Sequence, residues 1–173
     1  MKNLGILLSV LRRREGRLHG REILTALARV GAAAAVMGAC LEGARRWLDL
    51  EEDEFYESFY CASVTRCYPG RAPSGRGDRT PTPGEQELCS FWLDWELKLL
   101  RPDLIVPVGG LAIRRLLGIS GLAECIGRRY ELEGAAVVPL PHPSGASSWL
   151  NSPANRELTA QAASLVREEL ARL

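Results

Sequence analysis

Three short runs of apolar, aromatic and β-branched residues punctuate the chain from residue 59 onward: 59–65, 104–108 and 135–140. Runs of this length and content predict buried strands. Between the first two, Leu88, Phe91, Trp92, Trp95 and Leu99 recur at helical spacing. They follow Thr82 as N-cap, Pro83 at the first helical position and Glu85 three residues past the cap, which predicts a helix over 83–100. The stripe is expected to face the core, where each large side chain contributes about 1.5–3 kcal/mol. On that magnitude the tryptophan pair reads as core and not as a platform for stacking bases. Gly109-Gly110 leads from the second strand into a short helix ending at Gly118. Glu133-Gly134 turns a hairpin into the last strand, and Ser152-Pro153 caps a helix over 153–172 with Leu158, Ala162, Leu165 and Leu170 inward. Strands separated by helices predict an α/β fold with a parallel sheet.

The first fifty residues carry a different pattern. Arg21 to Leu50 is rich in Ala, Leu and Arg, which favours helix, with Gly31, Gly38 and Gly43 as expected breaks. Leu4 to Leu11 has the length of a signal-peptide core, but Arg12-Arg13-Arg14 stands where a small-residue cleavage site belongs. No apolar run reaches the length of a membrane span, so a cytoplasmic protein without membrane contact is expected. A chain of 173 residues, 46% hydrophobic, fits one globular domain over 1–173, with 1–45 set apart from 46–173. The net charge of +1 gives no general argument for a polyanionic partner, so any basic footprint is local.

One such footprint is the long loop from Arg66 to Pro81, where Arg66, Arg71, Arg76 and Arg79 are opposed only by Asp78. Loops of this length in compact domains are often functional, and this one suits the phosphates of a polyanion. Five cysteines, an odd number without a Cys-x-x-Cys pair, argue against a disulfide framework and for buried reduced thiols. Gly109-Gly110 could cradle a phosphate, but the third glycine and the acidic residue of a dinucleotide site are missing, and close packing of helix on strand is preferred.

The chemistry concentrates at Pro141-His142-Pro143-Ser144-Gly145, straight after the last strand. Ligands of open α/β sheets bind at the carboxyl ends of strands, and prolines on both sides restrict the backbone around His142. No Gly-x-Ser-x-Gly elbow accompanies Ser144, and a single histidine in this context does not make a zinc hydrolase.

Tyr60 to Gly70, Pro81 to Cys89, Arg101-Pro102 to Gly109 and Pro141-His142-Pro143-Ser144, in this order and spacing, resemble the uracil-DNA glycosylase superfamily, in particular its iron–sulfur-bearing bacterial and archaeal branch. The resemblance covers Trp47 to the C-terminus. It implies a three-layer α/β/α sandwich around a short parallel sheet. It also implies hydrolysis of the N-glycosidic bond of uracil in single-stranded or uracil-containing DNA, after the nucleotide is flipped out. His142 would stabilise the departing uracil anion, Ser63 would stand where the family reads the base edge, and Ser144, Gly145 and Ser147 would press on the strand, with Trp149 or Leu150 as an apolar wedge. Arg66, Arg71, Arg76 and Arg79 would meet the DNA backbone. Cys67 and Cys89 match two of the four cysteines that hold the family's 4Fe–4S cluster, so no complete cluster is expected. The family's Gly-Glu-Ala-Pro-Gly loop, which positions the attacking water, and its Pro-Phe-x-Gly segment have no counterpart here. Two readings therefore stand: a glycosylase, or a catalytically silent DNA-binding or interaction domain on the same scaffold.

Overall fold

The computed structural model describes residues 6–10, 33–74, 78–143 and 148–173, with backbone alone at 6–10 and 33–40. In chain order its elements are β1 (Ile6–Val10), α1 (Ala33–Leu48), α2 (Glu52–Ser58), β2 (Phe59–Ser63), α3 (Pro83–Leu100), β3 (Leu104–Val108), α4 (Gly110–Leu117), α5 (Leu122–Cys125), β4 (Tyr130–Leu132) and β5 (Ala135–Val137). A 3-10 turn at Ser148–Asn151 then leads into α6 (Pro153–Arg172). The strands form one sheet in the order β2-β1-β3-β5-β4.

The fold is α/β, and the three strands expected from the sequence share one direction, but the sheet is mixed. β1 lies between β2 and β3 and runs against both, Leu8 pairing with Cys61 on one side and Val106 on the other. Only β3 and β5 pair in parallel, and β4 closes the far edge antiparallel to β5. β1 comes from the run weighed above as a signal core. A strand in the middle of a covered sheet reads as an unbroken apolar stretch, which is also how a signal core reads.

Side chains along the strands alternate between two cores. Phe59, Cys61, Leu104, Val106, Val108, Ala136, Val138 and Leu140 face α1 and α6, packing on Leu41, Leu48, Ala162 and Val166. Tyr60, Ala62, Ile105, Ala135 and Val137 face the other way, onto Leu93 of α3, with Leu97, Leu100, Leu116 and Leu117 around them. Period two on the strands thus fixes three layers. Backbone bonds continue the β3–β5 ladder past its last paired residues, Val138 to Ile105 and Leu140 to Pro107, each 3.0 Å, so strand-like pairing reaches Leu140.

Local signals hold where the chemistry is local. Thr82 forms a reciprocal capping box with Glu85, Gly118 ends α4 in the left-handed conformation, and Glu133 and Gly134 turn the β4–β5 hairpin with φ of 50° and 84°. Ser152 occupies the N-cap of α6 without a side-chain cap bond.

Two expectations are corrected. Gly38 and Gly43 lie inside α1 and do not break it; Gly31 lies outside the described residues. The aromatic stripe of α3 faces solvent, with Leu88, Phe91, Trp92, Trp95 and Leu99 exposed, while Cys89, Leu93 and Glu96 are the buried positions. α3 carries apolar residues on two flanks, and periodicity alone does not say which one meets the sheet. The choice is made by a polar anchor: Tyr60 Oη donates to the buried Glu96 carboxylate at 2.5 Å, and Arg66 pairs with the same oxygen.

Candidate active site

Because β2, β3 and β5 share a direction, their carboxyl ends meet at one rim. There β2 ends at Ser63, β3 gives way to Gly109, and the bonded backbone of 135–140 runs into Pro141-His142-Pro143. Val108 bridges Leu140, and Gly109 N donates to Leu140 O at 2.9 Å, so the β3–α4 turn and the His142 turn are stitched together.

Two glycines clasp that turn. Gly109 has φ of +87°, and a β-carbon there would stand 3.3 Å from His142 Cδ2 and 3.4 Å from its Cβ. Position 109 therefore favours glycine twice, for its backbone and for the imidazole lying against it. From the other side, a β-carbon on Gly43 of α1 would collide with Cβ of Pro143 and come within 3.0 Å of its Cγ. Glycine inside a helix costs about 1 kcal/mol relative to alanine; at Gly43 that cost admits the proline ring. The turn is wedged between α1 and the β3–α4 turn, and the ring of His142 is half-buried. Burial holds its pKa below 6.5, so the imidazole is neutral at physiological pH.

Ser63 closes the rim at β2. Its hydroxyl donates to Thr65 O at 2.7 Å, so toward a ligand it presents lone pairs. Ser144, Gly145 and Ser147 lie outside the described residues. Trp149 packs against the first core and donates from Nε1 to Thr159 Oγ1 at 3.2 Å, which makes it part of the scaffold under the turn.

The loop between β2 and α3 is tied at its neck. Arg71 bridges Asp78, Arg79 N donates to Gly70 O at 3.0 Å, and Tyr68 Oη donates to Asp78 at 2.8 Å. Its arginines divide by partner. Arg66 is committed to Glu96 beneath the loop. Arg79 grips both oxygens of Glu85 and holds that carboxyl down to about 2. Arg71 stays exposed at the bridge, and Arg76 lies outside the described residues.

Among the described residues the cysteines lie in different settings. Cys61 and Cys125 are packed in the first core, and burial pushes the Cys61 thiol up to about 12, far from a ligating thiolate. Cys89 is buried on α3 and Cys67 is exposed in the loop. The described residues contain no group of three or more metal-ligating side chains. The Cys40 side chain lies outside the described residues.

The sequence places His142 in a fixed turn at this rim but does not show Gly43 and Gly109 as the setting of that turn. From sequence alone Gly109 reads as a phosphate cradle or as helix packing, and Gly43 as a helix break. Close approach between elements distant in sequence leaves no local signal.

Residues 21–167 match the family model described as the uracil DNA glycosylase superfamily, a span reaching well before the first motif block. The chain is 31% identical over 91 residues to a type-4 uracil-DNA glycosylase of Thermotoga maritima, covering 51% of this chain and 44% of that protein. It is 37% identical over 79 residues to a type-5 uracil-DNA glycosylase of Pyrobaculum aerophilum, covering 46% and 32%. A DNA polymerase of Bacillus phage SP01 is 30% identical over 97 residues, 56% of this chain and 9% of the polymerase. In each case the chain spans less than half the length of the relative it matches.

Proposed function

This chain belongs to the uracil DNA glycosylase superfamily, and on that footing we propose that it binds DNA and hydrolyses the bond between deoxyribose C1′ and uracil N1. The observation that carries the reading is the clasped, neutral imidazole of His142 at the carboxyl rim of the sheet. In the reaction water adds its oxygen to C1′, the C1′–N1 bond breaks, and its electron pair leaves on the base. The water proton ends on uracil, giving free base and an abasic sugar. The N–H of a neutral imidazole, fixed before the charge forms, stabilises the developing anion at a carbonyl oxygen. Such a donor is worth about 2.7–4 kcal/mol, or 10²–10³ in rate.

Ser63 supports base selection. With its proton given to Thr65 O, it can only accept, which suits the N3–H of uracil and opposes the bare N3 of cytosine. Flipping the base out costs a few kcal/mol, and phosphate contacts from Ser144, Gly145, Ser147 and the exposed arginine of the loop would offset it.

The second reading, binding without cleavage, is favoured by one specific fact: the chain has no Gly-Glu-Ala-Pro-Gly element to position water. One experiment separates the two. A single-stranded oligonucleotide with one deoxyuridine is incubated with the protein and with His142→Ala, and released uracil is quantified beside binding to the same strand. Release by the parent, lowered on the order of 10²–10³-fold in the variant at equal DNA affinity, is the expected result. Binding without release establishes the silent domain, and neither binding nor release sinks both.

A further inference from the structure

The exposed flank of α3 carries a symmetric pattern of large apolar side chains. Leu88, Trp92, Trp95 and Leu99 are spaced four, three and four residues apart, the seam of a two-stranded helix pair. The order Leu, Trp, Trp, Leu reads the same in both directions about a point between Leu93 and Asp94. A two-fold axis through that point sets a second α3 antiparallel to the first, with Leu88 opposite Leu99 and Trp92 opposite Trp95. This is the residue-for-residue self-complementarity that an isologous interface requires. We propose that two copies of this chain associate through α3 in this antiparallel register.

Among the described residues the geometry around the stripe leaves room for such a partner. Asp94, bonded to Arg115 of α4 at 2.8 Å, marks the flank of α3 turned toward its neighbour helix. At 100° per residue the stripe lies on the other flank, on the side of β2, the outermost described strand. Phe91 is braced edge-on against Trp92, their ring centroids 5.5 Å apart at 73°, so the face is preformed.

The area is also sufficient. Leu88 is 83% exposed, Phe91 63%, Trp92 50%, Trp95 51% and Leu99 62%. Taking about 200 Å² for each large side chain, the face amounts to on the order of 600 Å² per copy. That reaches the upper end for the largest apolar patch of a typical monomer, roughly 300–600 Å². Two such faces together bury about 1,200 Å², the lower bound of a specific interface.

Light scattering on the full chain across micromolar concentrations tests the proposal, with circular dichroism to confirm that each variant folds. The parent is expected to pass from monomer to dimer. Leu88→Glu and Leu99→Lys should each raise the dimer dissociation constant on the order of a hundred-fold. The double variant Leu88→Glu/Leu99→Lys should restore dimers, since each new carboxylate then faces the other copy's new ammonium. A monomeric parent overturns the proposal, whether iodide quenches its tryptophans freely or a segment of its own chain shields them. Association that grows without limit, or a double variant no better than the single ones, overturns it too.

Discussion

Gly43 and Pro143, a hundred positions apart in the chain, share one space: the proline ring sits where a β-carbon on the glycine would go. Alanine at 43 must therefore push the turn or tilt the helix, and the residue next to Pro143 in that turn is His142. Misplacement by about 1 Å can cost on the order of 10² in rate. Gly43→Ala is expected to lower uracil release at least ten-fold while its melting temperature stays within a few degrees of the parent, helix propensity offsetting the strain. A variant of undiminished rate would show that the turn does not depend on α1.

Gly109→Ala tests the opposite jaw of the clasp. Here strain from the positive φ adds to contact with the ring, a cost of about 1–3 kcal/mol. A domain of this size loses about 2–4 °C per kcal/mol. The melting temperature should fall by several degrees and the rate by more than the folded fraction explains, measured by thermal denaturation beside a single-turnover assay.

Burial sets the sign of the pH dependence at His142. A folded-state pKa below the unfolded value of 6.5 means that the folded protein binds fewer protons there. The contribution to stability is then complete above 6.5 and is lost as pH falls through the lowered value. Titration of the His142 ring by NMR should give a midpoint below 6.5, and His142→Asn should flatten the acid limb of stability against pH. A midpoint at or above 6.5 would refute the buried neutral ring.

Breaking the anchor under α3 should be costly. Glu96→Ala leaves the Tyr60 hydroxyl and the Arg66 guanidinium without their shared acceptor in a buried setting. Removing one partner of such a pair costs about 3–5 kcal/mol, so urea denaturation should show the largest loss of stability among these variants. A change below about 1 kcal/mol would place the network in the ordinary surface class.

Salt dependence reports which arginines reach DNA. Four basic residues against one acid correspond to about three phosphates, but Arg66 and Arg79 are spent on Glu96 and Glu85. About one phosphate remains, a slope near −0.7 on single strands and roughly a two- to three-fold loss of affinity from 50 to 200 mM salt. Arg71→Ala should reduce the slope in binding titrations, whereas Arg79→Ala should leave it unchanged.

What the sequence disclosed follows from how local each cause is. α3, β3 and α6 were placed because a capping box, a Pro after a cap, and a five-residue apolar run are complete within their own neighbourhood. His142 was legible because prolines advertise a fixed turn. The direction of β1, the buried side of α3 and the two glycines of the clasp depend on partners far along the chain. For α3 the deciding contact is Tyr60 with Glu96, 36 residues apart, and no period in the helix encodes it.

β1 also sets the timing of assembly. Leu8 pairs with Val106, and among the described residues β2 has no other strand beside it. During synthesis, at about 5–20 residues per second, the first strand emerges long before β3 exists to flank it. Until Val108 has left the ribosome, β1 and β2 can form at most a two-stranded ribbon, which is marginal in water. Closing so long a chain segment is entropically slow, so the sheet is expected to complete late and all at once, with Ile6–Val10 the stretch most in need of shielding while it waits.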